Sequence, residues 1–315
     1  MIFLHTNGQG KHLPLHGILI LAAWTLLAGA SRAADPPAAK LFARDNLVAW
    51  CIVPFDARKR GPEQRVAMLK QLGFKRFAYD WRAEHLPAFD RELGLLKKEG
   101  IELTAVWFPA NLGDDAQKLL AVIEKHKVRP QLWVTMTGGG PAKSAEEQKQ
   151  KVESHARALR PIAEAAAKLG CSVALYNHGG WFGEPENQLA ILDALHLPNV
   201  GVVYNLHHGH DHLDRFPELL KKMKPHLLAL NLNGMVKGGD HAGKKILPLG
   251  QGDDDLRLLK IIAASGWRGP IGILGHTQDD AEERLQDNLD GLAWLVKQLN
   301  GSPAGPKPMP RTMKK

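Results

Sequence analysis

Cysteine is nearly absent: Cys51 and Cys171 are the only two in 315 residues. They fall in separate apolar runs far apart in the chain, which suits two buried thiols better than a bridge and excludes a disulfide framework. The fold therefore has to stand on its own hydrophobic core. Charge of one sign is also lacking in the body. The formal +8 is largely terminal: Lys11 and Arg32 precede residue 34, Lys307, Arg311, Lys314 and Lys315 follow residue 301, and neither stretch holds an acid, which leaves about +2 between them. That balance argues against nucleic acid as a partner. No Gly-rich phosphate loop follows the first strand-like run. Nor is any apolar run long enough for a comfortable membrane span. The longest, "GILILAAWTLLAGA" (17–30), falls short of the roughly 20 residues a span needs. It follows Lys11 and runs into "ASRAAD", where Ser31 and Ala33 make a small-x-small pattern. A signal peptide over 1–33, cleaved after Ala33, and an exported mature protein are expected. An uncleaved N-terminal anchor is the alternative. Residues 34–45 read as a short lead-in, and 300–315 as a disordered, basic, Pro-rich tail.

What remains is enough for one large α/β domain. Short apolar, β-type runs alternate with longer amphipathic ones. Strands are expected at 46–53, 76–81, 103–108, 131–136, 172–178, 200–205, 227–233 and 270–276. Between and after them, apolar residues recur at helical spacing over 62–72, 84–98, 114–126, 145–168, 186–196, 212–223, 253–264 and 279–299, as in Leu285, Leu289, Leu292 and Leu295. Gly73, Gly100, Gly170 and Gly266 stand where helices should stop. Eight strict alternations over 46–299 give a single (β/α)8 TIM barrel with a closed, parallel, eight-stranded sheet. An open doubly wound sheet is the alternative.

In such a barrel, chemistry sits at the C-terminal strand ends. Those ends carry Trp50, Asp80, Trp107, Asn177, His178, Asn205, His207, His208, Asn231, Asn233 and His276. The stretch "YNLHHGHDH" (204–212), with four of the fifteen histidines, is thereby the end of the sixth strand and its loop. A solvated loop rich in His is the plainer reading.

Three further stretches, "VALYNHGG" (173–180), "VVYNLHHGH" (202–210) and "ILPLGQGDDDLRLLKIIAASGWRGPIGI" (246–273), resemble motifs of the xylose-isomerase-like TIM-barrel superfamily, which includes sugar phosphate isomerases and epimerases and the endonuclease IV type. The segments "NHGGWFGEPENQ" and "NLNGM" resemble an exported subgroup. Family enzymes hold a divalent metal with carboxylates and a His after strands five to eight. The resemblance places Tyr176, Asn205, Asn231 and Leu274 at those four positions, so the usual carboxylate site, and the usual isomerase mechanism, are expected to be missing. The Asp-x-x-His spacing of the family lands on Asn205 and His208.

Residues two apart share a strand face, so His178, His207, Asn233 and His276 are expected one layer nearer the mouth. Three converging imidazoles, His178, His207 and His276, form a pattern that could hold zinc; binding substrate or simple hydrogen bonding are the alternatives. Strand parity turns His207 inward, with His208 closing over the mouth beyond it, Gly209 allowing a sharp turn, and His210 and His212 facing solvent or capping the next helix. Glu184 is expected as an acid beside His178 or His208, or else as a carboxylate at a helix N-terminus. Trp50, Trp107 and Trp181 could stack on sugar faces, with core packing as the alternative. Asp80, Asn177, Asn205, Asn231 and Asn233 could bond hydroxyls. The expected function is an exported enzyme of the isomerase, epimerase or lyase type. It abstracts a proton from a carbohydrate or sugar derivative, with His207 or His208 as base and His178 with Glu184 as acid. The alternative is a carbohydrate-binding barrel without catalysis.

Overall fold

The structure, a computed structural model, describes residues 40–311. The expected signal peptide and residues 34–39 of the lead-in lie outside the described residues. Eight parallel strands pair in chain order and the eighth closes on the first. They are β1 Leu47–Trp50, β2 Arg76–Tyr79, β3 Glu102–Phe108, β4 Gln131–Val134, β5 Ser172–Tyr176, β6 Val200–Asn205, β7 Leu227–Leu232 and β8 Ile271–Leu274. After each comes a helix: α1 Pro62–Gln71, α2 Leu86–Lys98, α3 Asp114–His126, α4 Ala145–Lys168, α5 Pro185–Leu195, α6 Phe216–Met223, α7 Asp255–Ala264 and α8 Ala281–Leu299. The chain is thus a single (β/α)8 barrel. No helix among the described residues is long and apolar enough to cross a membrane. Gly73, Gly100, Gly170 and Gly266 all adopt positive φ, between 67° and 76°, the left-handed conformation that ends a helix at little cost only for glycine.

The strands are apolar on both faces because two cores meet at the sheet. Outward side chains such as Phe77, Val106, Leu132, Leu175, Val202 and Ile273 join the helices in the larger core. Inward ones fill the lumen, where Trp50, Trp133 and Tyr176 supply the bulk and Ala78, Ala105, Ala174 and Ala229 make room for them. The Trp50 and Trp133 rings meet edge-on at 4.6 Å. Gly272 follows the same logic, since a Cβ there would collide with the Asn231 side chain on the neighbouring strand. Both cysteines are buried free thiols.

One expectation fails at the C-terminus. The segment to Arg311, which its proline and lysine content marks as disordered, is fastened to the barrel. Arg311 bonds Asp287 at 3.0 Å and Asp290 at 2.8 Å, Gln251 donates to the Pro308 carbonyl, and Trp294 donates to that of Gly305. Composition carries no sign of these partners on the barrel.

Candidate functional site

The C-terminal strand ends enclose a small throat of about 50 Å3, lined by Asp80, Tyr176 and the four imidazoles of His178, His207, His208 and His276, with Trp50 as floor and Cys51, Phe55, Arg82 and Trp107 around the rim. It arises from how each strand ends. Cys51 leaves β1 in the left-handed region, φ 57°, which a non-glycine residue adopts rarely and at some cost. Two residues on, the Val53 amide donates to Asp80, the residue after β2. β6 ends at Asn205, and Leu206–His208 form one turn of 3-10 helix, with the Asn205 side chain accepting from the His207 amide. Strand alternation therefore stops at Asn205, before either histidine, and does not separate the two. His207 and His208 both face the throat, their ring centroids 3.6 Å apart. Gly209 has φ −115°, which any residue can adopt. Glycine is needed there because the Tyr204 hydroxyl stands where a Cβ would be.

Burial shapes the electrostatics. His207 is 1% exposed, and its basicity lies well below the ordinary imidazole value through desolvation first, then the neighbouring His208 and His276. Desolvation likewise pushes His208 down to about 2 and His276 down to about 4, and Lys245, on the loop between β7 and α7, adds to both. His178, at the exposed rim, is lowered for the same leading reason. The imidazoles are therefore neutral near pH 7. Each offers one donor and one acceptor, but His207 and His208 are weak bases. Asp80 is shifted the opposite way, up to about 6, by burial, against the Val53 amide, Arg82 and Arg65.

Hydrogen-bond capacity is left over here. Both ring nitrogens of His207, Nε2 of His208 and Oδ2 of Asp80, all on residues that line the throat, are buried without a partner among the described residues, as are both side-chain polar atoms of Asn231 and Oδ1 of Asn233 outside its lining. Buried polar groups are normally satisfied. A concentration of orphans at one strand-end cavity marks a place built for a polar ligand or water.

Several expected site residues are spent elsewhere. Asn177 clips β5 to β6, bonding both the amide and the carbonyl of Asn205. The Asn205 side chain is occupied by His207 and by the Tyr176 hydroxyl. Trp50, 1% exposed, is lumen packing that shows only an edge to the throat. Trp181 lies away from it, bonded to Gln148 and packed on His155. Glu184 does not meet His178 or His208: it bonds Arg215 at 2.8 Å and His212 at 3.3 Å. His210 and His212, expected to face solvent or cap the next helix, are buried scaffold. His212 joins Tyr204 to Glu184. His210 holds the loop that carries Lys245, its two ring nitrogens facing the carbonyls of Val236 and Lys245. Sequence reasoning missed Cys51 and Phe55. Cys51 reads as a core thiol, although its place just past β1 is itself a strand-end signal.

The metal expectations can be tested on donors. At the four family positions, Tyr176 and Asn205 are bonded to each other, Asn231 offers one neutral oxygen and Leu274 nothing. A hard divalent cation needs more charge than that. The set His178, His207 and His276 does not serve either. His178 leans on His208 at 4.5 Å and His276 on Phe55 at 3.9 Å. Among the described residues, no three His, Cys, Asp or Glu side chains converge as a metal-binding group.

Two open clefts flank the throat. One, of about 820 Å3, lies over the ends of β4 and β5 and shares His178 with it. The other, of about 620 Å3, lies over β2 and β3 and shares Arg82 and Trp107.

Comparison with known proteins agrees with this architecture. Solved structures that superpose on the chain include a 3-keto-D-glucoside 4-epimerase from E. coli (TM-score 0.60, 16% identity, 80% of this chain and 99% of that one). A D-psicose 3-epimerase from Clostridium cellulolyticum H10, solved with D-tagatose, gives TM-score 0.57 at 13% identity over 80% and 98%. A probable 3-DHS dehydratase from Bacillus anthracis gives 0.59 at 15% over 79% and 98%. No curated protein sequence matches. At such identities the superpositions speak for the fold alone. The family profile goes further, matching residues 66–298, most of the barrel, and the chain belongs to the xylose isomerase-like TIM barrel family.

Proposed function

We propose that the protein is an exported enzyme acting on a carbohydrate or sugar derivative by abstraction and return of a proton next to a carbonyl group, as an isomerase, epimerase or lyase. The observation that carries this reading is the set of buried, unpartnered polar atoms around the throat, above all both nitrogens of His207. Neutral imidazoles and amides are suited to hydroxyl and carbonyl oxygens, because each offers donors and acceptors without a fixed charge. The throat, at about 50 Å3, has room for little more than one water at ~30 Å3 each. A sugar therefore lies in the flanking clefts and extends its reacting carbons toward His207 and His208. Trp107, partly exposed where throat and cleft join, offers a stacking face. The family neighbours include two sugar epimerases and a probable dehydratase, reactions that all require a carbon-bound proton to move.

The reading is tested by incubating the protein with D-fructose, D-psicose and a 3-keto-D-glucoside in D2O. Nuclear magnetic resonance should show deuterium entering at a carbon next to the carbonyl of at least one of them. A protein that binds these sugars but never exchanges the proton would instead be the non-catalytic binding barrel. Export rests on the leader and has its own check: the exported protein should begin at Ala34, and one that begins at Met1 would contradict cleavage.

A further inference from the structure

We propose that Asp80 is the catalytic group that takes the proton from carbon, with His207 and His208 holding the oxygen on which negative charge develops. The inference rests on the functional reading above and assigns its central step.

Among the described residues, Asp80 is the one carboxylate lining the throat. Its two oxygens are treated differently. Oδ1 accepts from the Val53 amide at 3.0 Å, and the Cys51 thiol also hydrogen-bonds the carboxyl group, while Oδ2 is buried without a partner within hydrogen-bond distance among the described residues. A structural Asp, 2% exposed, would be expected to use both. Cys51, two residues before Val53, leaves β1 in the left-handed region. The groups around Asp80 are of two kinds. Cys51 is held protonated by burial, then by the negative charge of Asp80 and a hydrogen bond to it, and Tyr176 is held protonated chiefly by burial. Arg82 beside it and Arg65 from α1 are cations that oppose the effect of burial on it, and Tyr79, the residue before it, is also held protonated. None of these is a free base at neutral pH. His208, pushed down to about 2, and His276, down to about 4, are poorer proton acceptors than a carboxyl near 6. A base is most effective when its pKa lies near the working pH.

The step balances within the site. Asp80 Oδ2 bonds the proton, and the C–H electron pair becomes the carbon–carbon double bond of an enediolate. The carbonyl π pair moves onto its oxygen, which accepts hydrogen bonds from the N–H groups of neutral His207 and His208. The hydroxyl proton of the enediolate passes to the neighbouring oxygen that carries the charge, and protonated Asp80 then returns its proton to the former carbonyl carbon, so that the carbon first deprotonated becomes the carbonyl and the carboxylate is regenerated.

Asp80→Asn keeps the acceptor for Val53 and removes the base. In the D2O assay with D-fructose, D-psicose and the 3-keto-D-glucoside, the variant should lose roughly 10^3-fold or more of the wild-type exchange rate while still binding the sugar. The wild-type rate should rise with pH through about 6 as Asp80 ionises. A second readout separates base from scaffold. A carboxyl whose pKa is raised by folding weakens the fold as pH climbs through that value, so Asp80→Asn should gain melting temperature over wild type at pH 8 and gain less at pH 4.5. If the wild type exchanges and Asp80→Asn stays within tenfold of it, or if the variant melts lower at pH 8, the assignment of Asp80 is overturned and the function stands. If the wild type exchanges with no sugar of the three, the functional reading fails and takes the assignment with it.

Discussion

His207→Phe is expected to fold at least as well as the wild type and to lose roughly 10^2- to 10^3-fold of its proton-exchange rate, the size of effect seen when one donor to a developing oxyanion is removed. Two features of the side chain lead there. It is 1% exposed, and neither ring nitrogen has a hydrogen-bond partner among the described residues. A buried polar atom without a partner costs stability, so an apolar ring of similar size should leave the melting temperature unchanged or raise it. Most buried histidines behave oppositely, and His212 is the control. It bonds Tyr204 at 2.9 Å and Glu184 at 3.3 Å, outside the throat. His212→Ala should lower the melting temperature yet keep exchange per folded molecule within roughly a few-fold, as for a residue whose only role is packing. Thermal melts and the D2O assay on both variants check this. Were His207→Phe to melt much lower while exchanging normally, His207 would be a structural residue.

The contrast between these histidines shows what can be read in the sequence. The barrel is legible because its signals are local and repeated: apolar β-type runs, helical spacing and glycines at helix ends. Expected and observed elements differ mostly by a few residues at their ends, and β6, α3 and α4 match in full. The ring of strand ends follows from the fold, and with it His178, His207, His208, His276 and Asp80. What cannot be read is how each polar group spends its hydrogen bonds. Asn177 and Asn231 occupy similar strand-end positions, but the first is consumed by the backbone of Asn205 and the second has no partner. Glu184 is close to the His tract in the fold, and its charge is taken by Arg215 on the approach to α6. Asp255, in the "PLGQGDDD" stretch, accepts from the amides of Met235, Gly250 and Gly252 and so fixes the loop after β7. Strand parity does not set how His207 and His208 sit, because a 3-10 turn begins directly after Asn205, a change of backbone that no period in the sequence announces.

Glu92→Gln should destabilise the fold more than any of the other substitutions, and it should also move the chemistry. Glu92 on α2 and Arg65 on α1 form an ion pair at 2.6 Å, with side chains 0% and 3% exposed, between helices whose sequences look like ordinary amphipathic faces. Removing one partner of a buried pair strands the other charge away from water, which typically costs about 3–5 kcal/mol. A drop of that size is expected in denaturant unfolding at pH 7. The Arg65 charge then also acts on Asp80 with less compensation. Arg65 already favours the ionised form of Asp80, so the ascending limb of the pH–rate profile, near 6 in the wild type, should move to lower pH. The double variant Arg65→Met with Glu92→Met separates the two effects. Replacing a whole buried pair by apolar groups of similar volume is often neutral, so much of the stability should return, while the limb should move up because a cation near Asp80 has gone. If the double variant is as unstable as the single one, packing rather than stranded charge explains the loss. If the limb moves the same way in both, Arg65 does not tune Asp80.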